Sequence, residues 1–235
     1  MITVNARQKV DQLTFQHNDT LYISRPNVNH KVLQDSFNFV PYDTYWTKRS
    51  RYRTTSRCRY TAKGIELLPQ VPLYQPSYVN KLEKYGNMDR YYDDAPISLI
   101  ESKAFYGLIT EWLSLIPMDI ETFSIHQIRT TDYGSPTPEG AHRDGTDWTG
   151  IYVAKRHNIT YDSAATQYWD PEGNTVYNQV VPEGCLVTHF DNAYTHMATN
   201  IKKYRMHEPS YRDVFVLTIP EHGVNHEEEE KRRKV

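Results

Sequence analysis

Short β-rich runs separated by turn-forming stretches fill the second half of the chain, and this pattern constrains the fold more than any other feature. The turns contain glycine and proline, as in GSPTPEG and DPEGN. No helical segment alternates with the runs, so βαβ units have no place and an antiparallel sandwich or barrel is predicted. The runs are FSIHQIR (123–129), WTGIYVAK (148–155), GCLVTHF (184–190) and DVFVLTI (213–219).

One helix is clear in the first half. Between 103 and 118, apolar residues recur at helical spacing until Pro117 interrupts the pattern. We therefore predict an α+β, mainly β fold in which N-terminal helices pack on one sheet. A single domain is expected, with a mixed α/β part (1–118), a β core (119–220) and a charged tail (221–235).

Composition excludes several classes of protein. The chain has 27 Lys and Arg against 29 Asp and Glu, and this net charge of -2 creates no general attraction for nucleic acid or anionic lipid. Neither a GxGxxG nor a P-loop motif is present. Two distant cysteines, no apolar leader and no apolar stretch of about 18 residues predict a soluble cytoplasmic protein without a disulfide framework.

A metal site is indicated by a His-x-Asp pair. His142 and Asp144 are two residues apart, so both side chains point to one face at the end of a strand. His196, which follows a later strand after a short turn, is the expected third ligand. Two histidines and one carboxylate leave coordination positions open and suit non-haem Fe(II) better than zinc.

A second pair of the same spacing is His189 and Asp191. The candidates for its third ligand are His222 and His226, in or beside the charged tail, so we interpret His189 as an ordinary strand residue and Asp191 as part of a turn. Solvated surroundings are expected for six of the other histidines: His17, His30, His157, His207, His222 and His226.

Arg212 makes the metal hypothesis more specific. It opens the run YRDVFVLTI, in which Arg212, Val214, Val216 and Thr218 share one strand face. A fixed guanidinium facing a metal can bind the distal carboxylate of 2-oxoglutarate with two hydrogen bonds.

With these motifs the chain resembles the small bacterial and phage Fe(II)/2-oxoglutarate dioxygenases that hydroxylate free amino acids, typified by isoleucine 4-hydroxylase and related to the radical lysine halogenases. The resemblance runs from about 49 to 219 and rests on HQIR (126–129), PEGAHRDG (138–145), His196 and YRDVFVLTI (211–219). It implies a double-stranded β-helix (jelly-roll) core. It also implies His142, Asp144 and His196 as iron ligands in catalysis, Arg212 as the 2-oxoglutarate anchor, and Fe(II), 2-oxoglutarate and O2 as cofactor and co-substrates.

The chain departs from this family at one place and agrees with its hydroxylases at another. Members often carry a Gly-Gly-Glu stretch where this chain reads NITYDSAATQYW (158–169), so a different substrate pocket is expected. The halogenases replace the carboxylate ligand with glycine, whereas Asp144 is present here. Hydroxylation is therefore favoured over halogenation.

An amino acid substrate needs a cation for its carboxylate and an acceptor for its ammonium group. The basic segment TKRSRYRTTSRCRY (47–60) is either a solvated edge strand or a strand that turns one or two arginines inward. Trp148 and Trp169 are candidates for the pocket wall. The substrate-binding candidates are Arg53, Arg59, Arg129, Asp147 and Thr218.

Two alternatives stay open. The basic, tyrosine-bearing segment 47–60 would suit an oxygenase that acts on nucleic acid, although that group tends to carry a second arginine where this chain has Thr218. The other alternative is a jelly-roll binding protein without catalytic activity. Our main expectation is a small-molecule substrate, with neither nucleic acid nor membrane as a partner.

Overall fold

The computed structural model describes residues 13–222, except 47, 49, 83, 84 and 133. Within these residues the chain forms eleven strands, three α-helices and two short 3-10 turns. The predicted charged tail lies outside the described residues apart from its first two positions, as does His226. The helices are α1 (His30–Asp35), α2 (Ile97–Ile100) and α3 (Lys103–Ser114). The strands are β1 (Leu13–His17), β2 (Leu21–Ser24), β3 (Arg51–Thr61), β4 (Gly64–Leu67), β5 (Thr122–Thr131), β6 (Trp148–His157), β7 (Thr166–Trp169), β8 (Thr175–Gln179), β9 (Leu186–Phe190), β10 (Thr195–Ala198) and β11 (Tyr211–Ile219).

The described strands form two antiparallel sheets. Eight lie in the large sheet in the order β1-β2-β9-β6-β11-β5-β3-β4, and three lie in the small sheet in the order β10-β7-β8. The four predicted β-rich runs are β5, β6, β9 and β11, which occupy the middle of the large sheet, and this prediction is confirmed. The fold is a double-stranded β-helix, in agreement with the expectation from the family resemblance.

Helix α3 covers one face of the large sheet. Ser102 caps it by accepting a hydrogen bond from the Phe105 N–H, and the helix ends at Ser114, shortly before Pro117. Its apolar side packs on the sheet, where the Trp112 indole lies directly over Gly150. A Cβ atom at Gly150 would stand 2.6 Å from Trp112 Nε1, so the close approach of helix and sheet depends on this glycine. The predicted helix and its packing on one sheet are confirmed.

The opposite face of the large sheet is different. Part of it joins the small sheet in an apolar cluster that includes Val153, Tyr168, Val187 and Val214. The rest is polar although it is buried, and buried polar groups normally have partners or a ligand to satisfy them. On the large sheet these buried polar side chains include Thr130, His126, His189 and Arg212, and His196 of the small sheet is buried as well. The site therefore lies between the two sheets.

The described residues include both cysteines of the chain. Cys58 and Cys185 are both buried and unpaired. No helix in the described ranges combines the length and apolar character that a membrane span requires.

Candidate active site

A cavity of about 120 Å³ opens between the two sheets. The large sheet contributes β3, β5, β6 and β11 to its walls, the small sheet contributes β7 and β10, and the segment 136–144 closes one side. Alternate residues of β11 line it, as predicted for one strand face: Arg212, Val214, Val216 and Thr218. The cavity combines this apolar and cationic wall with a cluster of metal-ligand side chains.

His142 and His196 are held side by side by the backbone. The N–H of each donates to the carbonyl of the other, at 3.0 and 2.9 Å, and this bridge joins the segment of His142 to β10. Their ring centroids are 4.6 Å apart. The His142 Nδ1–H donates to the Gly140 carbonyl at 2.8 Å, which orients Nε2 toward Asp144 and the cavity.

Asp144 completes this group of donors. One of its oxygens lies 3.5 Å from His142 Nε2, and the other lies 3.7 Å from His196 Nε2. The second oxygen is buried and has no hydrogen-bond partner among the described residues. Two nitrogen donors and one carboxylate thus converge on one point and face the cavity, which fits a His/Asp/His iron site.

The backbone around Asp144 is fixed by Asp191. The Asp191 carboxylate accepts the N–H groups of Asp144, Gly145 and Thr146, at 2.9, 2.9 and 3.3 Å. Gly145 has a φ of 79°, a conformation that glycine adopts without strain and that turns these N–H groups toward one acceptor. Asp191 lies in a 3-10 turn after β9, as predicted, but it acts as an anchor for the His-x-Asp segment.

His189 lies in strand β9, as predicted, and directly behind the site. It is fully buried, its ring centroid is 4.8 Å from that of His196, and its Nδ1 is 3.0 Å from the Tyr168 hydroxyl. The ligand atoms of Asp144, His189, Asp191 and His196 all lie within 4.8 Å of one another. His189 and Asp191 do not line the cavity that holds the other donors.

Burial and neighbouring charges shift the pKa values of all three donors. Burial would raise the pKa of Asp144, but the neighbouring histidines hold it well below its usual value, so the group is ionised. Burial lowers the pKa of His196 to about 3, despite the charge of Asp144. Burial also lowers the pKa of His142, but the hydrogen bond and charge of Asp144 outweigh it and raise the value to about 9.

Arg212 is a buried cation in the same cavity. It is 6% exposed, and its Nε has no hydrogen-bond partner among the described residues. Burial, reinforced by the nearby Arg156, lowers its pKa to about 10. A buried guanidinium without a carboxylate partner is costly unless an anionic ligand compensates for it.

A family model for 2OG-Fe dioxygenases matches residues 34–218. The chain belongs to the 2OG-Fe dioxygenase family. Enzymes of this family use Fe(II), 2-oxoglutarate and O2, and the donor set and the buried Arg212 suit these cofactors. No curated protein matches the chain.

Solved structures share the fold of this dioxygenase at low sequence identity. A bsmA homologue from Methylobium petroleophilum is 21% identical, with a TM-score of 0.66 over 85% of this chain and 88% of that one. IDO from Bacillus thuringiensis is 13% identical, with a TM-score of 0.62 over 81% and 82%. The Fe(II)/alpha-ketoglutarate-dependent dioxygenase TqaL is 17% identical, with a TM-score of 0.60 over 80% and 73%.

The predicted substrate residues of the dioxygenase divide into two groups. Arg53 and Thr218 line the cavity. Arg59 instead pairs with Glu66 and Glu121 outside it, at 3.7 and 3.2 Å.

Arg129 and Asp147 also lie outside the cavity. Arg129 binds Asp213 through two hydrogen bonds of 2.7 and 2.8 Å, so its charge is already neutralised. Asp147 lines a neighbouring surface groove. Neither tryptophan candidate lines the cavity, and Trp148 packs against Phe190 in the helix-side core.

The sequence did not predict several of the residues that line the cavity of the dioxygenase. Glu139 lies within PEGAHRDG, three residues before His142, and its Oε1 is 3.5 Å from His142 Nε2. That proximity in sequence was a usable signal. His222 was predicted to be solvated, which is wrong: it lies in the cavity, 4.9 Å from the His126 ring, and burial lowers its pKa to about 4. Arg51 and Arg90 also line the cavity.

Proposed function

We propose that the chain hydroxylates an unactivated C–H bond of a free L-amino acid or similar small amine-bearing metabolite, while 2-oxoglutarate and O2 are converted to succinate and CO2. One observation carries the proposal. A single cavity combines three converging metal donors with a buried, unpaired arginine and has room for a small molecule beside them. Membership of the 2OG-Fe dioxygenase family supports the reaction class.

The iron ligands in this proposal are His142, Asp144 and His196. They open to the cavity, whereas the atoms of Asp191 are engaged by three backbone N–H groups. Bound Fe(II), with 2-oxoglutarate and O2, supplies the oxidant for C–H hydroxylation. Asp144 fills the position that a halide would need, so hydroxylation is proposed and halogenation is not.

Arg212 anchors the distal carboxylate of 2-oxoglutarate in the proposal. Its burial lowers the local dielectric and strengthens the ion pair, and its place on a central strand fixes its position. The hydroxyl of Thr218, on the same strand face, is buried without a partner among the described residues and is available to the same ligands.

In the proposal, the substrate zwitterion binds between Arg53 and Glu139. Arg53 provides a cation for the carboxylate, and Glu139 provides an acceptor for the ammonium group, a role predicted from sequence for Asp147. One Glu139 oxygen is buried without a partner in the described structure, which fits an unfilled acceptor role. The side chains fix which carbon faces the iron, and this placement determines the product.

The first test measures succinate formation by purified protein with Fe(II), 2-oxoglutarate, ascorbate and O2, against pools of free L-amino acids. We expect at least one pool to stimulate succinate formation, and mass spectrometry of that pool to show one added oxygen atom. His142→Ala is the control and should abolish the stimulation. The absence of iron-dependent succinate formation, with or without substrate, would contradict the proposal.

Arg212→Gln tests the co-substrate anchor separately. Removal of a charged, bidentate partner should raise the 2-oxoglutarate concentration for half-maximal turnover by about 10 to 100-fold, with a smaller change in maximal rate. Arg156→Gln is the neighbouring control, because this arginine donates to the Thr160 and Ser163 carbonyls and does not line the cavity. An unchanged co-substrate requirement in Arg212→Gln would remove this residue from the site.

Action on nucleic acid has no specific support among the described residues. Its sequence argument was the basic segment 47–60, but Arg51 and Arg53 face the cavity, and Arg57 and Arg59 pair with carboxylates. We also propose a cytoplasmic location, which rests on two free, buried cysteines.

A further inference from the structure

Three arginines converge on the part of the cavity that Arg212 does not occupy. Arg51 and Arg53 share one face of β3, and Arg90 comes from the irregular segment before α2. Arg90 is 1% exposed, although arginine is almost never fully buried unless it is paired. Such a cluster is costly in a protein that binds nothing there.

The partners that hold these arginines are neutral. Arg51 donates to the Pro136 carbonyl, Arg53 to His126 Nδ1 and Arg90 to Gln75 Oε1, at 3.2, 3.2 and 2.6 Å. Each guanidinium also lies over an aromatic ring, at 5.6 Å for Trp46, 5.1 Å for Tyr92 and 5.0 Å for Tyr85. These contacts fix the position of the three cations without neutralising them.

Nearby acids do not balance the cluster. No described carboxylate lies at ion-pairing distance from any of the three arginines. Asp43 is buried nearby and attracts Arg90, but its Oδ1 accepts from the Tyr45 N–H and it does not line the cavity. Burial, and then repulsion from Arg53, lowers the pKa of Arg90, as expected for cations that lack a counter-ion.

The remaining charges of the cavity cancel. Asp144 and Arg212 are engaged by iron and 2-oxoglutarate in the proposed function, and the charge of Glu139 is offset in number by Arg143, which lines the same cavity. His126 and His222 are neutral because burial lowers the pKa of both. Three arginines against the one acid, Asp43, therefore leave two positive charges for the substrate.

We propose that Arg51, Arg53 and Arg90 form a second anion site beside that of Arg212, which binds both the α-carboxylate of the substrate and a further carboxylate or phosphate group, so that the substrate is an acidic amine-bearing metabolite. The inference rests on the proposed function and narrows its substrate class from free amino acids in general to those of net negative charge. A guanidinium cluster binds either kind of anion through charge-assisted hydrogen bonds.

The binding test uses inorganic phosphate as the probe. Protein loaded with Mn(II) and N-oxalylglycine, which occupy the iron and co-substrate positions, is titrated with phosphate by calorimetry. We expect the affinity to fall about 10 to 100-fold in Arg53→Gln and in Arg90→Gln, and to be largely restored by Arg90→Lys. Arg205→Gln is the control, since this exposed arginine pairs with Glu208 on the surface.

Circular dichroism of each variant establishes that it is folded. If Arg90→Gln fails to fold, Arg53→Gln and Arg90→Lys keep the test decisive. Equal phosphate affinity in the wild type and in a folded Arg53→Gln protein, or no phosphate binding by the wild type, would overturn the second anion site.

The turnover test compares acid and amide pairs. Succinate formation is measured with L-glutamate against L-glutamine, L-aspartate against L-asparagine, and O-phospho-L-serine against L-serine. Stimulation by the acidic members alone supports the inference, and the responding pair distinguishes carboxylate from phosphate. Equal stimulation by the neutral members overturns it and leaves the proposed function standing.

Failure of the proposed function gives a different result, namely no iron-dependent succinate at all, including the slow turnover without substrate. If that slow turnover persists while every pair is silent, the phosphate titration decides the inference.

Discussion

Two His-x-Asp pairs lie next to each other in this protein, and their surroundings differ. His142 and Asp144 present free donor atoms to the cavity, and Asp144 keeps one buried oxygen without a partner. In the other pair, the Asp191 oxygens accept three backbone N–H groups and His189 Nδ1 is bonded to Tyr168. The same spacing produces a proposed metal site in one case and its support in the other.

The difference shows that spacing alone does not define a ligand pair. A metal ligand needs a lone pair that the protein has not already satisfied, together with access to the cavity. His189 and Asp191 are 0% and 1% exposed, whereas the Asp144 side chain is 19% exposed. His189 Nε2 is also buried without a hydrogen-bond partner among the described residues, so access to the cavity is what separates the two pairs.

The largest expected effect comes from replacing the histidine of either pair, His142 or His189, with alanine. His142→Ala should abolish iron binding and turnover, while the metal-free protein stays folded. His189→Ala should lower the free energy of unfolding by about 2 to 4 kcal/mol, because it leaves a cavity and an unpaired buried Tyr168 hydroxyl. Chemical denaturation and Fe(II) titration measure the two quantities.

The opposite result for the two variants would assign the iron ligands to the other pair. If His189→Ala lost iron completely while His142→Ala kept it, the ligands would be the buried group of Asp144, His189, Asp191 and His196. His207→Ala serves as the control in both measurements, because this histidine is exposed on the surface.

Much of the fold follows from local signals. The central strands β5, β6, β9 and β11 and helix α3 were predictable because their alternation, helical spacing and breakers agree with their final environments. The small sheet was not. Strand β7, for example, has only four residues, too few for a periodic pattern to be distinguished from a loop.

The residues of the site likewise divide into those that the sequence predicts and those that it does not. His142, Asp144, His196 and Arg212 could be selected because motif and strand alternation place them together. The choice of Asp147 as an ammonium acceptor was based on closeness in sequence, but Gly145 turns the chain and places Asp147 beside a surface groove. Likewise, Arg129 and Arg53 look alike in sequence, and only the structure shows that Asp213 neutralises Arg129.

A second expected effect tests Asp191 as a positioning residue. Asp191→Asn keeps the shape of the side chain but exchanges a carboxylate that accepts from three N–H groups for an amide with one acceptor oxygen. We expect iron affinity to fall about 10 to 100-fold and stability to fall by about 2 kcal/mol.

A merely structural role for Asp191 would lower stability alone. The decisive readout is the dissociation constant of Fe(II), measured at a temperature where the variant is fully folded. Unchanged iron affinity in folded Asp191→Asn protein would contradict the positioning role. Asp170→Asn is the matched control, because this exposed aspartate also accepts backbone and side-chain N–H groups but lies in a turn away from the cavity.

The smallest effect is expected at Tyr168, which links the two pairs. Its hydroxyl lies 3.0 Å from His189 Nδ1, and its ring stacks on His196 with centroids 5.5 Å apart. Tyr168→Phe removes the hydrogen bond and keeps the stacked ring, so stability should fall by about 1 kcal/mol and iron affinity by less than about tenfold. Tyr168→Leu removes both contacts and should lower iron affinity further, because the stacked ring restrains His196. Equal iron affinities in the two variants would show that the ring does not position this ligand, and that the backbone pairing of β10 with β7 and the bridge to His142 suffice to hold it.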